Sequence, residues 1–268
     1  MVHILKMQCI LVNQRESYSV VMKTMTNHKD VSEWLNLAIE LLQSGKVHDA
    51  EEAIREALEI NPKYANSWNE LGIILGFSGK YGEAVDAFRK ATELDPDNAM
   101  SWENLGTSLL QCERHKEAAI ALQKATTLKP DEAGTWIELG FAYRKLNGLE
   151  KAVFAYQKAL ELDDTNAKAW HDLGITLVTL GQYKEAEEAL RKALTLTPLS
   201  SECWYNLGNL LGIIGRHAEA EEPFRKAIEI DPKNELAWSG LAIVLREQGK
   251  QAEAKEAFDK ARSLMISK

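Results

Sequence analysis

Trp34, Trp68, Trp102, Trp136, Trp170, Trp204 and Trp238 stand at a constant spacing of 34 residues and are all the tryptophans the chain has. A fixed period of about 20 to 50 residues marks a chain built by repeating one supersecondary unit, each burying its apolar face on its neighbours. Counted from Val31, seven units follow without insertion or deletion: 31–64, 65–98, 99–132, 133–166, 167–200, 201–234 and 235–268. Residues 1–30 form an N-terminal extension. Within a unit numbered 1 to 34, the tryptophan is position 4.

The remaining repeated residues are spaced for helices. Position 7 is always leucine, from Leu37 to Leu241, and position 8 is small: Gly72, Gly106, Gly140, Gly174 and Gly208, with Ala38 and Ala242 in the outer units. Position 20 is always alanine (Ala50 to Ala254), position 24 is large and apolar (Ile54, Phe88, Leu122, Tyr156, Leu190, Phe224, Phe258), and position 27 is alanine again. Spacings of three and four place such residues on one helical face. The small residue at position 8 predicts a close crossing of two helices. Between the halves, Gly45, Gly79, Gly181, Gly215 and Gly249 supply a left-handed residue at a helix end, and Asn147 can do the same. Glu113 breaks this pattern, which predicts a less regular turn after Cys112. Pro62, Pro96, Pro130, Pro198 and Pro232 stop the second helix, with Asp164 in their place in the fourth unit. Pro223 falls inside the second half of the sixth unit and predicts a local kink.

Trp102, Leu105, Gly106, Ala118, Leu122, Ala125 and Pro130 together resemble the tetratricopeptide repeat, and the resemblance covers residues 31–268. It implies an all-α, right-handed superhelical solenoid of antiparallel helix pairs, with the first helix of each pair lining a concave groove. It implies a binding mode and names no ligand.

Composition narrows the partners. The formal net charge of −8 argues against nucleic acid, which needs clustered Lys and Arg. Charge runs such as Lys184–Glu188 read as solvated faces of second helices. Three cysteines, Cys9, Cys112 and Cys203, are too far apart for a disulfide framework or a zinc site and suit a reducing, cytoplasmic setting. His115 and His217 take the position of Tyr81 and Tyr183 and read as packing residues at helix starts. Phosphate loops, H-E-x-x-H and nucleophile elbows are lacking, so neither an enzyme nor a cofactor or metal site is expected. In residues 1–12, Lys6 and Gln8 interrupt the apolar stretches, and no membrane span is expected. For residues 1–30 two readings stand: a poorly ordered segment, with a natural start near Met22 or Met25, or a cap on the first helix pair.

The resemblance assigns positions 2, 5, 6, 9, 12 and 13 to the groove wall. Apolar residues are frequent there: Ile73, Ile137, Phe141, Ile175 and, at position 13, Phe77 and Ile213. Tyr205, Asn209 and His171 lie on the same stripe, and Glu70, Glu138, Asp172, Arg144, Lys145 and Arg246 flank it. His171 reads as a contact residue, because no carboxylate or nucleophile partners it at a catalytic spacing. The expected ligand is an amphipathic helix or extended peptide with apolar anchors, and the expected role a protein-interaction scaffold or adaptor. Chaperone C-terminal tails are disfavoured: relatives that bind them carry Lys at position 5, which no unit has, and the lone Lys at position 2, Lys168, faces Asp172. Two other roles fit the sequence: a structural protein that self-associates through its uncapped last unit, or a regulatory module of a multiprotein enzyme.

Overall fold

A computed structural model describes residues 30–266, and every regular element among them is helical. The extension and its two readings lie outside the described residues, apart from Asp30. Seven helices occupy the first halves of the units: α1 (Val31–Gln43), α3 (Ala65–Phe77), α5 (Ala99–Gln111), α7 (Ala133–Lys145), α9 (Ala167–Leu180), α11 (Ser201–Ile213) and α13 (Glu235–Glu247). Seven occupy the second halves: α2 (Val47–Ile60), α4 (Tyr81–Leu94), α6 (His115–Leu128), α8 (Leu149–Leu162), α10 (Tyr183–Leu196), α12 (His217–Ile230) and α14 (Gln251–Ile266).

The chain divides into two compact units, residues 1–112, which hold α1 to α5, and residues 113–268, which hold α6 to α14. Inside each, consecutive helices pack on one another, and each first helix also touches the next first helix. Successive second helices such as α6 and α8, or α8 and α10, make no close backbone contact. Within each compact unit the two halves of the repeat therefore have different outer surfaces: neighbouring first helices touch, whereas second helices stand apart with clefts between them.

Local chemistry sets the helix limits. Side chains of Asn98, Asn166, Ser200 and Asn234 accept from the backbone N–H three residues on, at 2.9 to 3.2 Å, and so cap α5, α9, α11 and α13. Asp30 and Glu33 form a reciprocal capping box at α1. After the first helices, the backbone turns through positive φ at Gly45, Gly79, Asn147, Gly181, Gly215 and Gly249. Glu113 does the same, with φ 57°. The irregular turn expected after Cys112 is thus absent: the residue departs from the pattern while the backbone keeps it, at the cost of a crowded Cβ.

Second helices end two residues before the proline, where Asn61, Asp95, Asp163 and Asp231 accept a backbone N–H through their side-chain oxygen at 3.0 to 3.3 Å. The tryptophans then tie this turn to the next helix. Nε1–H of Trp68, Trp102, Trp136, Trp170, Trp204 and Trp238 donates to the carbonyl six residues earlier, at 2.8 to 3.1 Å. The acceptor is a backbone oxygen, so Asp164 serves as well as a proline. Trp34 is fully buried, while the other six are half-buried. They act as clamps across the turn more than as core fillers.

At position 8 the two helices of a pair pass close to one another. A Cβ added to Gly72, Gly140 or Gly174 would lie 2.6 to 2.7 Å from the side chain of Phe88, Tyr156 or Leu190 at position 24 of the same unit. Glycine is needed for lack of room, not for an unusual φ. The second unit's core runs on through Ala152, Tyr156, Leu173, Leu190, Leu207, Phe224 and Leu241. Pro223 is buried inside α12, which keeps the 14 residues of α10. The expected kink does not interrupt the helix; only the donor toward the Glu219 carbonyl is missing.

Candidate functional site

Helical periodicity turns positions 5, 6, 9, 12 and 13 of each first helix away from its second helix. In the first compact unit this face holds Ile73, half-buried on α3, and Phe77 at the end of that helix, 73% exposed. Asn69 accepts from Ser101 Oγ and Asn104 Nδ2, both at 3.2 Å, which joins α3 to α5 below the apolar residues. Burial pushes the Glu70 carboxyl above the usual carboxylate range.

In the second compact unit, Phe141 on α7 is the centre of the face. Its ring meets His115 edge-on, with centroids 6.4 Å apart, and has the Arg144 guanidinium at 5.3 Å and the Lys145 ammonium at 5.4 Å from its centre. Two cations thus stand over one half-buried aromatic ring, held by the i, i+3 and i, i+4 spacing. Ile175 is half-buried on α9, and Asn209 is exposed on α11.

Beneath these residues runs a polar seam. Asp172 is buried and pairs with Lys168 at 3.3 Å and Arg144 at 3.6 Å. Asn206 Nδ2 lies 2.8 Å from His171 Nε2. Burial, more than the opposing carboxylates of Glu202 and Asp172, holds the His171 imidazole below its ordinary pKa. The Tyr156 hydroxyl is buried beside the Arg144 guanidinium. Burial, reinforced by the Asp172 carboxylate, pushes ionisation of the Tyr156 phenol upward.

The stripe expected at the groove wall thus separates into two layers. Ile137 is 7% exposed and belongs to the core, packed with Tyr156 and Leu173, so it is not available as an open-wall residue. His171 is buried in the seam, and Tyr205 leans on Phe224 with ring centroids 6.1 Å apart. At position 5 Ile137 and His171 are buried and the other units are half-buried, while position 13 is exposed in every unit. The seam escaped the sequence reading, although it had a signal: a polar residue at position 5 with Asn at position 6 of the next unit, 35 residues on, as in Asn69–Asn104 and His171–Asn206. Among the described residues, no group of three or more His, Cys, Asp and Glu could hold a metal ion, and no helix is long and apolar enough to cross a membrane.

Sequence profiles described as the tetratricopeptide repeat match residues 34–64, 53–86, 71–133, 131–198, 171–235 and 224–256. No curated protein matches. Among solved structures, the chain is similar to YrrB, described as a tetratricopeptide repeat protein with an unusual peptide-binding site: TM-score 0.64, 26% identity, covering 70% of this chain and 96% of that one. It is similar to MamA of Desulfovibrio magneticus RS-1, with TM-score 0.60 and 27% identity over 64% of this chain and 97% of that one. It shares the fold of Pseudomonas aeruginosa pilF, with TM-score 0.64 and 20% identity over 77% of this chain and 94% of that one. Helix pairs recurring every 34 residues and profile matches that run through the array agree, and the chain belongs to the tetratricopeptide repeat family.

Proposed function

We propose that the protein is an interaction scaffold that holds a peptide segment or amphipathic helix of a partner protein against the face of its first helices. The observation that carries this reading is Phe141, a half-buried ring flanked by Arg144 and Lys145, beside half-buried Ile175. Apolar side chains that the repeat does not require, ringed by cations, suit an apolar anchor with a polar or acidic neighbour. Ile73 and Phe77 offer the same chemistry on α3, and Asn209 offers an amide on α11. The peptide-binding site in the description of YrrB supports this class of ligand.

Phe141→Glu with Ile175→Glu tests it. The double variant is expected to keep wild-type helicity, to lose no more than about 1 kcal/mol of stability from its two half-buried positions, and to lose partners that the wild-type chain captures. Early melting, or unchanged capture, overturns the reading. A second reading, self-association, draws on α14, where Phe258 is 59% exposed although its counterpart Phe224 is buried. Light scattering at micromolar concentration separates the two, because the scaffold reading expects a monomer.

A further inference from the structure

The clefts between second helices offer an internal comparison. One, of about 560 Å³, lies between α6 and α8, is floored by α7 and is lined by Trp136, Leu139, Tyr143, Lys151 and Phe154. Another, of about 460 Å³, lies between α8 and α10 and is floored by α9. At three equivalent positions the second cleft carries Glu161, Glu185 and Glu188, where the first carries Thr127, Lys151 and Phe154. The repeat explains the acidic set. Position 19 is in the first turn of each second helix, where the helix dipole favours an acid, and it is Asp49, Glu83, Glu117, Glu185, Glu219 and Glu253 in the other units. Position 22 faces solvent and is acidic in five units of seven.

The fourth unit breaks both preferences, and the two residues line one cavity. Lys151 puts a cation at the positive end of α8 and has no carboxylate partner among the described residues; its ammonium rests 5.5 Å from the centre of the Tyr143 ring. Phe154 is 54% exposed and meets Trp136 edge-on, with centroids 6.1 Å apart. Both residues rest on the first helix of their own pair, yet these contacts leave more than half of Phe154 in solvent and Lys151 without a carboxylate among the described residues. Glu150 is the one carboxylate in the lining, so the cleft has lost the acidic character of its neighbour and gained an aromatic floor with a cation at its rim.

We infer that this cleft is a second peptide-binding site, on the opposite half of the repeat from Phe141, for an acidic segment that inserts an aliphatic or aromatic anchor between Trp136, Tyr143 and Phe154 and places a carboxylate on Lys151. The volume suits one or two large side chains, and the shape is a slot between helices that do not touch. An acidic ligand is specified because a cationic one would face Lys151, and because an apolar one alone would leave that ammonium unpaired at the edge of the buried contact. This site does not depend on the first-helix reading.

The test is selection of random dodecapeptides displayed on phage against the full chain, with counter-selection on Lys151→Glu/Phe154→Glu. That variant carries the residues of Glu185 and Glu188 at the same positions of α10, so it is expected to fold, which circular dichroism checks. Counter-selection discards peptides that bind anywhere else. Surviving peptides are expected to combine an aromatic or aliphatic anchor with flanking Asp or Glu, and to bind the variant at least about tenfold more weakly in fluorescence anisotropy. They are expected to bind Phe141→Glu/Ile175→Glu with unchanged affinity. Absence of survivors, survivors without acidic residues, or survivors sensitive to the Phe141 pair overturns the proposal.

Discussion

The same substitution in two helices of one compact unit is expected to have opposite signs. Gly140 lies in α7 and Gly212 in α11, so alanine at either gains up to about 1 kcal/mol of helix propensity. At Gly212 a new Cβ finds its nearest neighbour, Val244 Cγ1, at 3.7 Å, an ordinary contact, and the gain is realised. At Gly140 the new Cβ would lie 2.7, 2.8 and 2.9 Å from three carbons of the Tyr156 ring. Carbon atoms pack at about 3.5–4.0 Å, so the ring must retreat by roughly 1 Å. Tyr156 is fully buried and cannot swing into solvent. Overpacking of this kind costs about 1–3 kcal/mol, which at least cancels the helix gain and leaves Gly140→Ala up to about 2 kcal/mol less stable than wild type.

Urea titrations followed by circular dichroism measure both variants on one scale, and comparison of midpoints avoids assuming that the array unfolds in a single step. The first helix pair supplies a rescue, because it joins Ala38 to Ile54, both fully buried. Gly140→Ala with Tyr156→Ile recreates that pair and is expected to be more stable than the sum of the two single changes predicts. A Gly140→Ala midpoint at or above that of Gly212→Ala would refute the steric account of position 8.

Glu113→Gly is expected to stabilise the protein by about 1 kcal/mol, read as a raised melting midpoint, because it relieves a Cβ at φ 57°. Pro223→Ala restores the donor toward the Glu219 carbonyl and is expected to stabilise by up to about 3 kcal/mol; an unchanged or lower midpoint would mean that α12 requires the proline. Burial depresses the folded pKa of His171 below the ordinary 6.5, so the unfolded chain binds the proton more tightly, and the stability due to the neutral imidazole is lost as pH falls through and below that value. Stability measured from pH 7 to pH 5 should therefore fall less steeply in His171→Gln than in wild type.

What the sequence reveals here depends on whether a residue answers to the repeat or to its own surroundings. Periodic glycines, prolines and alanines are legible because every unit imposes the same geometry on them: Gly45 and its counterparts turn through positive φ, and Gly72, Gly140 and Gly174 sit beneath a large side chain. The role of tryptophan was only half legible. Its spacing gives the architecture, but the bond from the indole N–H to a carbonyl six residues back involves no acceptor side chain and leaves no mark in the sequence. The first-helix face was legible to within a helical turn. Periodicity places position 5 and position 9 on one stripe, yet Ile137 and His171 are buried while Phe141 is only half-buried, a difference of depth that spacing along the chain does not carry.

The residues that carry the functional readings are those where a unit departs from its siblings and leaves apolar surface or charge exposed. Glu113 departs and the backbone absorbs it; Pro223 departs and the helix absorbs it. Lys151 and Phe154 are different, because their contacts with Tyr143 and Trp136 still leave a cation at a helix start and a ring that faces solvent. Phe141 sits between: it extends over the seam formed by Asp172, Lys168 and Arg144, so its cations are partly committed to the fold, and a ligand must compete with Asp172 for Arg144. This ranks the two surfaces. Replacing Asp172 with Asn should release Arg144 and strengthen binding of acidic peptides at the Phe141 face while leaving the α6–α8 cleft unaffected, and anisotropy titrations at both sites measure the difference. Equal strengthening at the two sites would mean that bulk charge, not the local pair, controls recognition.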